Sequence, residues 1–152
     1  MAIINFRGQQ EDKKRTPKPV LVGDYMARNL ITFRPDQSVM EVMQLLLKNR
    51  ISGGPVVNDK RELLGLISEG DCMKQISECR YYNIPMADAL VEKFMVTDVQ
   101  TITEDVSIFD AANMFYKSHK KRFPVIHEGK LIGQISRRDV LKAALEAEAN
   151  HW

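Results

Sequence analysis

The sequence predicts an α/β (α+β) fold in which two pseudo-symmetric β-α-β-β-α repeats pack sheet to sheet. The first observation behind this is internal repetition: a displacement of 69 residues aligns residues 22–55 with 91–124 without a gap. Thr32 falls on Thr101, Asp36 on Asp105, Ser38 on Ser107, and Pro55-Val56-Val57 on Pro124-Val125-Ile126. After one extra residue near Arg61, a displacement of 68 sets Gly65-Leu66-Ile67-Ser68 and Asp71 on Gly133-Gln134-Ile135-Ser136 and Asp139. The second observation is that β-favouring runs and helical periodicity alternate in the same order in both copies. The third is size, because a unit of roughly fifty residues is too small for a self-sufficient core and must bury its sheet against its twin.

Residues 1–19 are expected to form a flexible basic arm: Arg7, Lys13, Lys14, Arg15 and Lys18 against Glu11 and Asp12 give it +3. The first repeat, 20–80, opens with a short strand at 30–33, followed by Pro35-Asp36 and the helix N-cap Ser38. Val39, Val42, Met43 and Leu46 then recur at helical spacing. Apolar runs at 54–57 and 63–67 about Asn58-Asp59-Lys60 read as a hairpin, and a closing helix starts at Ser68. A linker, 81–90, carries Tyr81, Tyr82 and Pro85 and is expected to pack across the pair. In the second repeat, 91–147, the strand at 99–103 precedes the cap Ser107 and the helical stripe Ile108, Ala111, Ala112 and Phe115. Its hairpin turns at His127-Glu128-Gly129-Lys130, and its last helix runs from Ser136 through Val140, Leu141, Ala144 and Leu145.

Composition excludes several classes of function. With 44% hydrophobic and 28% charged residues the chain reads as soluble and globular. No apolar run approaches the roughly eighteen residues of a membrane span, and charges occupy the place of a secretory signal, so a cytoplasmic protein is expected. Beyond the arm, 17 basic residues face 18 acidic ones, too balanced for a broad nucleic-acid surface. Cys72 and Cys79, seven apart on a helical segment, sit roughly 10 Å apart and form no disulfide. His119, His127 and His151 are dispersed and give no metal set. No nucleophile elbow, phosphate loop or His-Glu-x-x-His motif is present, so no enzyme activity is expected.

The most informative signal is the doubled Gly-x-Ile-Ser-x-x-Asp, at residues 65–71 and 133–139. One reading is a capping box, with Ser accepting from the backbone and Asp favoured at a helix start. The other is nucleotide binding: a helix N-terminus and a hydroxyl suit phosphate, and a carboxylate accepts from ribose hydroxyls. Both remain open on the residues alone.

These doubled Thr, Pro-Val and Gly-x-Ile-Ser-x-x-Asp positions resemble the paired CBS domains, named after cystathionine β-synthase, over about residues 20–145. The resemblance implies two clefts between repeats, taking AMP, ADP, ATP or S-adenosylmethionine as regulatory ligand, with no resident cofactor. One cleft would use Thr32, Ser52, Gly53 and Gly54 with Ser136, Arg137 and Asp139; the other would use Thr101, Lys121, Arg122 and Phe123 with Ser68 and Asp71. Arg137 and Arg138 would strengthen phosphate binding in the first, whereas Glu69 opposes Lys121 and Arg122 in the second. Phe123 would cover an adenine face or serve as core, and Gly53-Gly54 would admit a base or a turn. The expected function is a stand-alone ligand-sensing regulatory module acting through a homodimer or an unidentified regulated protein. The alternative is a ligand-free dimerisation or scaffold module whose Ser-x-x-Asp motifs are caps only.

Overall fold

The computed structural model describes residues 19–150, so the expected basic arm lies outside the described residues except for Pro19. Helix α1 spans Val22–Tyr25, α2 Val39–Asn49, α3 Glu69–Tyr82, α4 Val91–Phe94, α5 Ile108–Ser118 and α6 Arg137–Ala149. Strands β1, Gly53–Val57, and β2, Leu63–Ser68, form one antiparallel hairpin; β3, Arg122–His127, and β4, Lys130–Ser136, form the other. Ser38 accepts from the Glu41 amide at 3.2 Å and Ser107 from the Asp110 amide at 3.1 Å, so each cap starts its helix as its residue type dictates. Arg50 and His119 close α2 and α5 in the left-handed conformation, at φ 54° and 59°.

The opening strand of each repeat is a single parallel bridge, Phe33 to Val56 and Ile102 to Val125. Phe33 donates to the Pro55 carbonyl and accepts from the Val57 amide, both at 2.9 Å. One step back, the ladder would need an N–H from Pro55, or from Pro124 in the other repeat, and proline has none. The same Pro-Val pair that marks each repeat therefore cuts its first strand short.

The repeats exchange their entry segments. Leu21 bridges to Ser107 and Ala27 to Gln134, so residues 20–27 at the head of the first repeat lie against the second. In the same manner Leu90 bridges to Ser38 and Val96 to Leu66, returning residues 89–96 to the first repeat. The bonds correspond pairwise, Val22 donating to the Val106 carbonyl at 2.8 Å as Val91 donates to that of Gln37 at 2.9 Å. Gly65 and Gly133 make room for the crossing: a Cβ there would lie 2.5 Å from the Val96 carbonyl oxygen and 2.8 Å from that of Ala27.

Two buried clusters result. One joins Phe33, Val39, Val42, Leu46, Val56 and Ile67 to Ala89 and Val91; the other joins Ile108, Ala111, Phe115, Phe123 and Ile135 to Val22 and Met26. Val22 and Val91 are both 0% exposed, and burial of each contributes about 1.5–3 kcal/mol to joining the repeats. The hairpins also meet directly, Glu62 bridging to Lys130 and Leu131 donating to the Arg61 carbonyl at 2.9 Å. Every residue of β1 is buried, so both faces of that strand are covered. Helix α3 runs through Tyr82 with both tyrosines exposed, and within 81–90 only Ala89 is buried.

Candidate functional site

At the end of β2 the chain is extended through Ser68, φ −133° and ψ 172°, and turns directly into α3. Ser68 accepts from the Asp71 amide at 3.4 Å, while Asp71 Oδ2 accepts from the Ser68 amide at 2.8 Å and its hydroxyl at 3.1 Å. Ser136 and Asp139 repeat this at the start of α6, with bonds of 2.9, 2.9 and 3.3 Å. Both motifs are therefore capping boxes. Each box occupies a single carboxylate oxygen; among the described residues Oδ1 of Asp71 and of Asp139 makes no hydrogen bond. Capping and ligand recognition are thus compatible in one side chain.

A cleft of about 390 Å³ opens beside the first box, within the range of small-molecule sites, about 300–1,000 Å³. Ser68, Gly70 and Asp71 form one wall, Lys120, Lys121 and Arg122 the facing one, and Leu66, Ile67, Val96 and Val99 the apolar lining. Ser52, Gly53, Gly54, Asp98 and Gln100 complete it. The exchange of entry segments builds this site, since it brings Val96 against β2, and the start of β3 supplies the cationic wall from the other repeat. Arg122 reaches across the repeats, donating from Nη1 to the Gly53 carbonyl at 3.2 Å and from Nη2 to the Ser52 hydroxyl.

Of the expected second cleft, Ser68, Asp71, Lys121 and Arg122 come together here. Thr101 does not line this cleft, and Phe123 is 0% exposed, stacked on Phe115 with ring centroids 4.3 Å apart inside the core. No base can reach its face in this packing. Ser52, Gly53 and Gly54, expected with Ser136 and Asp139, line the cleft of Ser68 and Asp71 instead, opposite residues of the second repeat. The two glycines answer to the chain itself: a Cβ would lie 2.7 Å from the Ile67 carbonyl oxygen at Gly53 and 2.9 Å from that of Ile31 at Gly54. Thr32 is half-buried beside Phe33, outside the cleft. Arg137 donates from Nε to the Lys120 carbonyl at 2.7 Å and lies in an outer groove with Phe115, Tyr116 and Val140. Lys120 was missed although it stands in the same basic run; Val96, Val99, Asp98 and Gln100 carry no local signal, because only the exchange delivers them.

A second groove, about 620 Å³, lies outside the cleft between α2 and α3, lined by Met43, Leu46, Leu47, Met73 and Ile76 with Cys72 at its base. Ser52 belongs to both the cleft and the groove. Burial, aided by the negative charges of Asp71 and Glu69, pushes the Cys72 thiol above its ordinary range. Cys72 and Cys79 are both free and buried. Among the described residues there is no cluster able to hold a metal ion and no helix long and apolar enough to cross a membrane.

Comparison with known proteins agrees with this architecture. The CBS domain profile matches residues 22–78 and 91–146. The chain is 33% identical over 155 residues to protein MJ1426 of Methanocaldococcus jannaschii, covering 83% of this chain and 92% of that one. It is 30% identical over 151 residues to the chloroplastic CBS domain-containing protein CBSX1 of Arabidopsis thaliana, covering 82% of this chain and 64% of CBSX1. The crystal structure of CBSX2 in complex with AMP superposes with a TM-score of 0.74 at 28% identity, over 85% of this chain and 98% of that one. With a CBS domain in each repeat and the paired architecture of its structural neighbours, the chain belongs to the CBS domain family.

Proposed function

We propose that this chain is a regulatory module that binds an adenosine nucleotide between its two CBS domains, in the cleft where Asp71 faces Lys121 and Arg122. The observation that carries the reading is the polarity of that cleft: apolar at Leu66, Ile67, Val96 and Val99, cationic at Lys120, Lys121 and Arg122, with carboxylates at Asp71 and Asp98. A base suits the first part, a phosphate the second, and ribose hydroxyls the free oxygen of Asp71. The AMP complex of the related CBSX2 supports the same ligand class. Of the adenosine compounds, AMP, ADP and ATP suit the cationic wall better than S-adenosylmethionine, whose sulfonium would meet like charge. The module binds rather than catalyses, acts in the cytoplasm, and signals through a homodimer or a regulated protein. Leu47 and Tyr116, at 81% and 80% exposure on α2 and α5, are the apolar surfaces that support association.

The scaffold reading keeps one specific support, that capping alone accounts for Ser68, Asp71, Ser136 and Asp139. Thermal melting of wild type, Asp71→Asn and Asp139→Asn with AMP, ATP and S-adenosylmethionine separates the two. Ligand at a hundred times its dissociation constant adds about 2.7 kcal/mol of stability. AMP or ATP is expected to raise the midpoint of wild type and Asp139→Asn, and Asp71→Asn to lose most of that rise. Absence of any shift favours the scaffold; a shift lost only in Asp139→Asn moves the ligand to the other cleft.

A further inference from the structure

Arg122 is half-buried and cationic, yet its guanidinium is spent on neutral acceptors, the Gly53 carbonyl and the Ser52 hydroxyl of the other repeat. Among the described residues no carboxylate forms an ion pair with it. A phosphate entering the cleft adds opposite charge and a bidentate fit to the guanidinium fork, neither of which a carbonyl and a hydroxyl supply, so it offers Arg122 a better partner than it now has. What it would leave behind is not inert. The Ser52 carbonyl accepts from the Glu69 amide at 2.9 Å, the first residue of α3, and Gly53 stands opposite Ser68, the cap of that helix. Ser52 and Glu69 also line the outer groove between α2 and α3, with Cys72 one turn further along α3.

We propose that Arg122 is the latch through which an anionic ligand is felt: without ligand it clamps Ser52 and Gly53, and a phosphate in the cleft draws it off, loosening the outer groove. The clamp follows from the hydrogen bonds of Arg122 alone, and only its release by nucleotide rests on the proposed function. The pseudo-symmetry makes the device one-sided. The position equivalent to Arg122 in the first repeat is Gly53, which has no side chain to reach back, so the clamp has no counterpart at the equivalent position. The groove it governs carries Leu47, Met73 and Ile76 at its exposed rim.

Cys72 is a natural reporter, lying at 3% exposure in the groove, and Cys79, at 5% and hydrogen-bonded by Gln75, serves as an internal reference on the same helix. The test is alkylation of the full chain by iodoacetamide, with each cysteine followed by peptide mass spectrometry. In ligand-free protein Arg122→Gln is expected to raise the Cys72 rate about fivefold, the lower range of ordinary coupling between sites, and Ser52→Ala to raise it less, with Cys79 unchanged. AMP is expected to raise the wild-type rate to the same level and to add nothing in Arg122→Gln, whereas adenosine, lacking a phosphate, leaves it at the ligand-free value. Unchanged Cys72 in both variants overturns the latch, as does an equal rise at both cysteines, which would report general loosening. AMP that shifts the melting point without changing Cys72 also overturns it. If no nucleotide shifts melting, the ligand assignment falls while the two variants still decide the clamp.

Discussion

Tyr25 on α1 donates its phenol hydrogen to the Glu146 carboxylate on α6, tying the head of the described chain to its tail. That bond, then partial burial and the negative charges of Glu146 and Asp24, hold the phenol above its ordinary value of 10.0. The folded state therefore keeps this proton longer than the unfolded one. The stabilisation is fully present below pH 10 and is lost as pH rises through the raised value. In a spectrophotometric titration one of the four tyrosines should ionise after the rest, and Glu146→Ala should return it to the others. A single transition for all four in wild type would show that the bond is absent in solution. Residue types alone singled out Ser68, Asp71 and Arg122, which line one cleft, because their chemistry is local, a cap and a charge. Arg137 stands outside that cleft with its guanidinium donating to the Lys120 carbonyl, a contact that spacing along the chain does not disclose.

Among the elements, the helices and hairpins were legible because caps, periodicity and turn residues act within a few positions of one another. Glu128 and Gly129, at φ 50° and 80°, form the two-residue turn that joins β3 to β4 as the sequence suggests. The opening strands were overread, since residues 30–33 and 99–103 favour extended backbone but, one step before the bridged Phe33 and Ile102, the partner strand carries proline at the position that must donate. Glycine spacing also has an element-scale meaning: Gly65 is required by the crossing of Val96, whereas Gly70 in the first turn of α3 has nothing nearer than the Ser68 hydroxyl at 3.6 Å. Gly65→Ala should therefore destabilise by about 1–3 kcal/mol through overpacking. Gly70→Ala should stabilise by about 0.4–1 kcal/mol by restricting the unfolded chain. Denaturant titration checks both, and a neutral Gly65→Ala would mean that the entry segment can shift outward at no cost.

At the scale of the whole molecule, sequence repeat and structural unit differ. Repetition sets a boundary near residue 90, but the cluster around Phe33, Val42 and Ile67 is completed by Ala89 and Val91, and its sheet by Val96. No local signal announces this, because residues 20–27 and 89–96 are equivalent in sequence and only topology decides which sheet each joins. The segment that follows the first repeat folds back upon it, and the segment that precedes it crosses to the second. Two fragments of equal length separate the alternatives. Residues 29–97 contain Phe33, β1, β2, α2, α3 and the returning Val91 and Val96; residues 20–88 replace that return with Val22 and Met26, whose packing partners Ile102, Phe115 and Val140 are missing. Both are near the size at which one core is marginal, so the completed cluster should decide the outcome. Circular dichroism is expected to show a cooperative thermal transition for 29–97 and a shallower, earlier loss of helix for 20–88. Equal or greater cooperativity in 20–88 would mean that the exchanged segments contribute little, and that the repeats are joined through their hairpins instead.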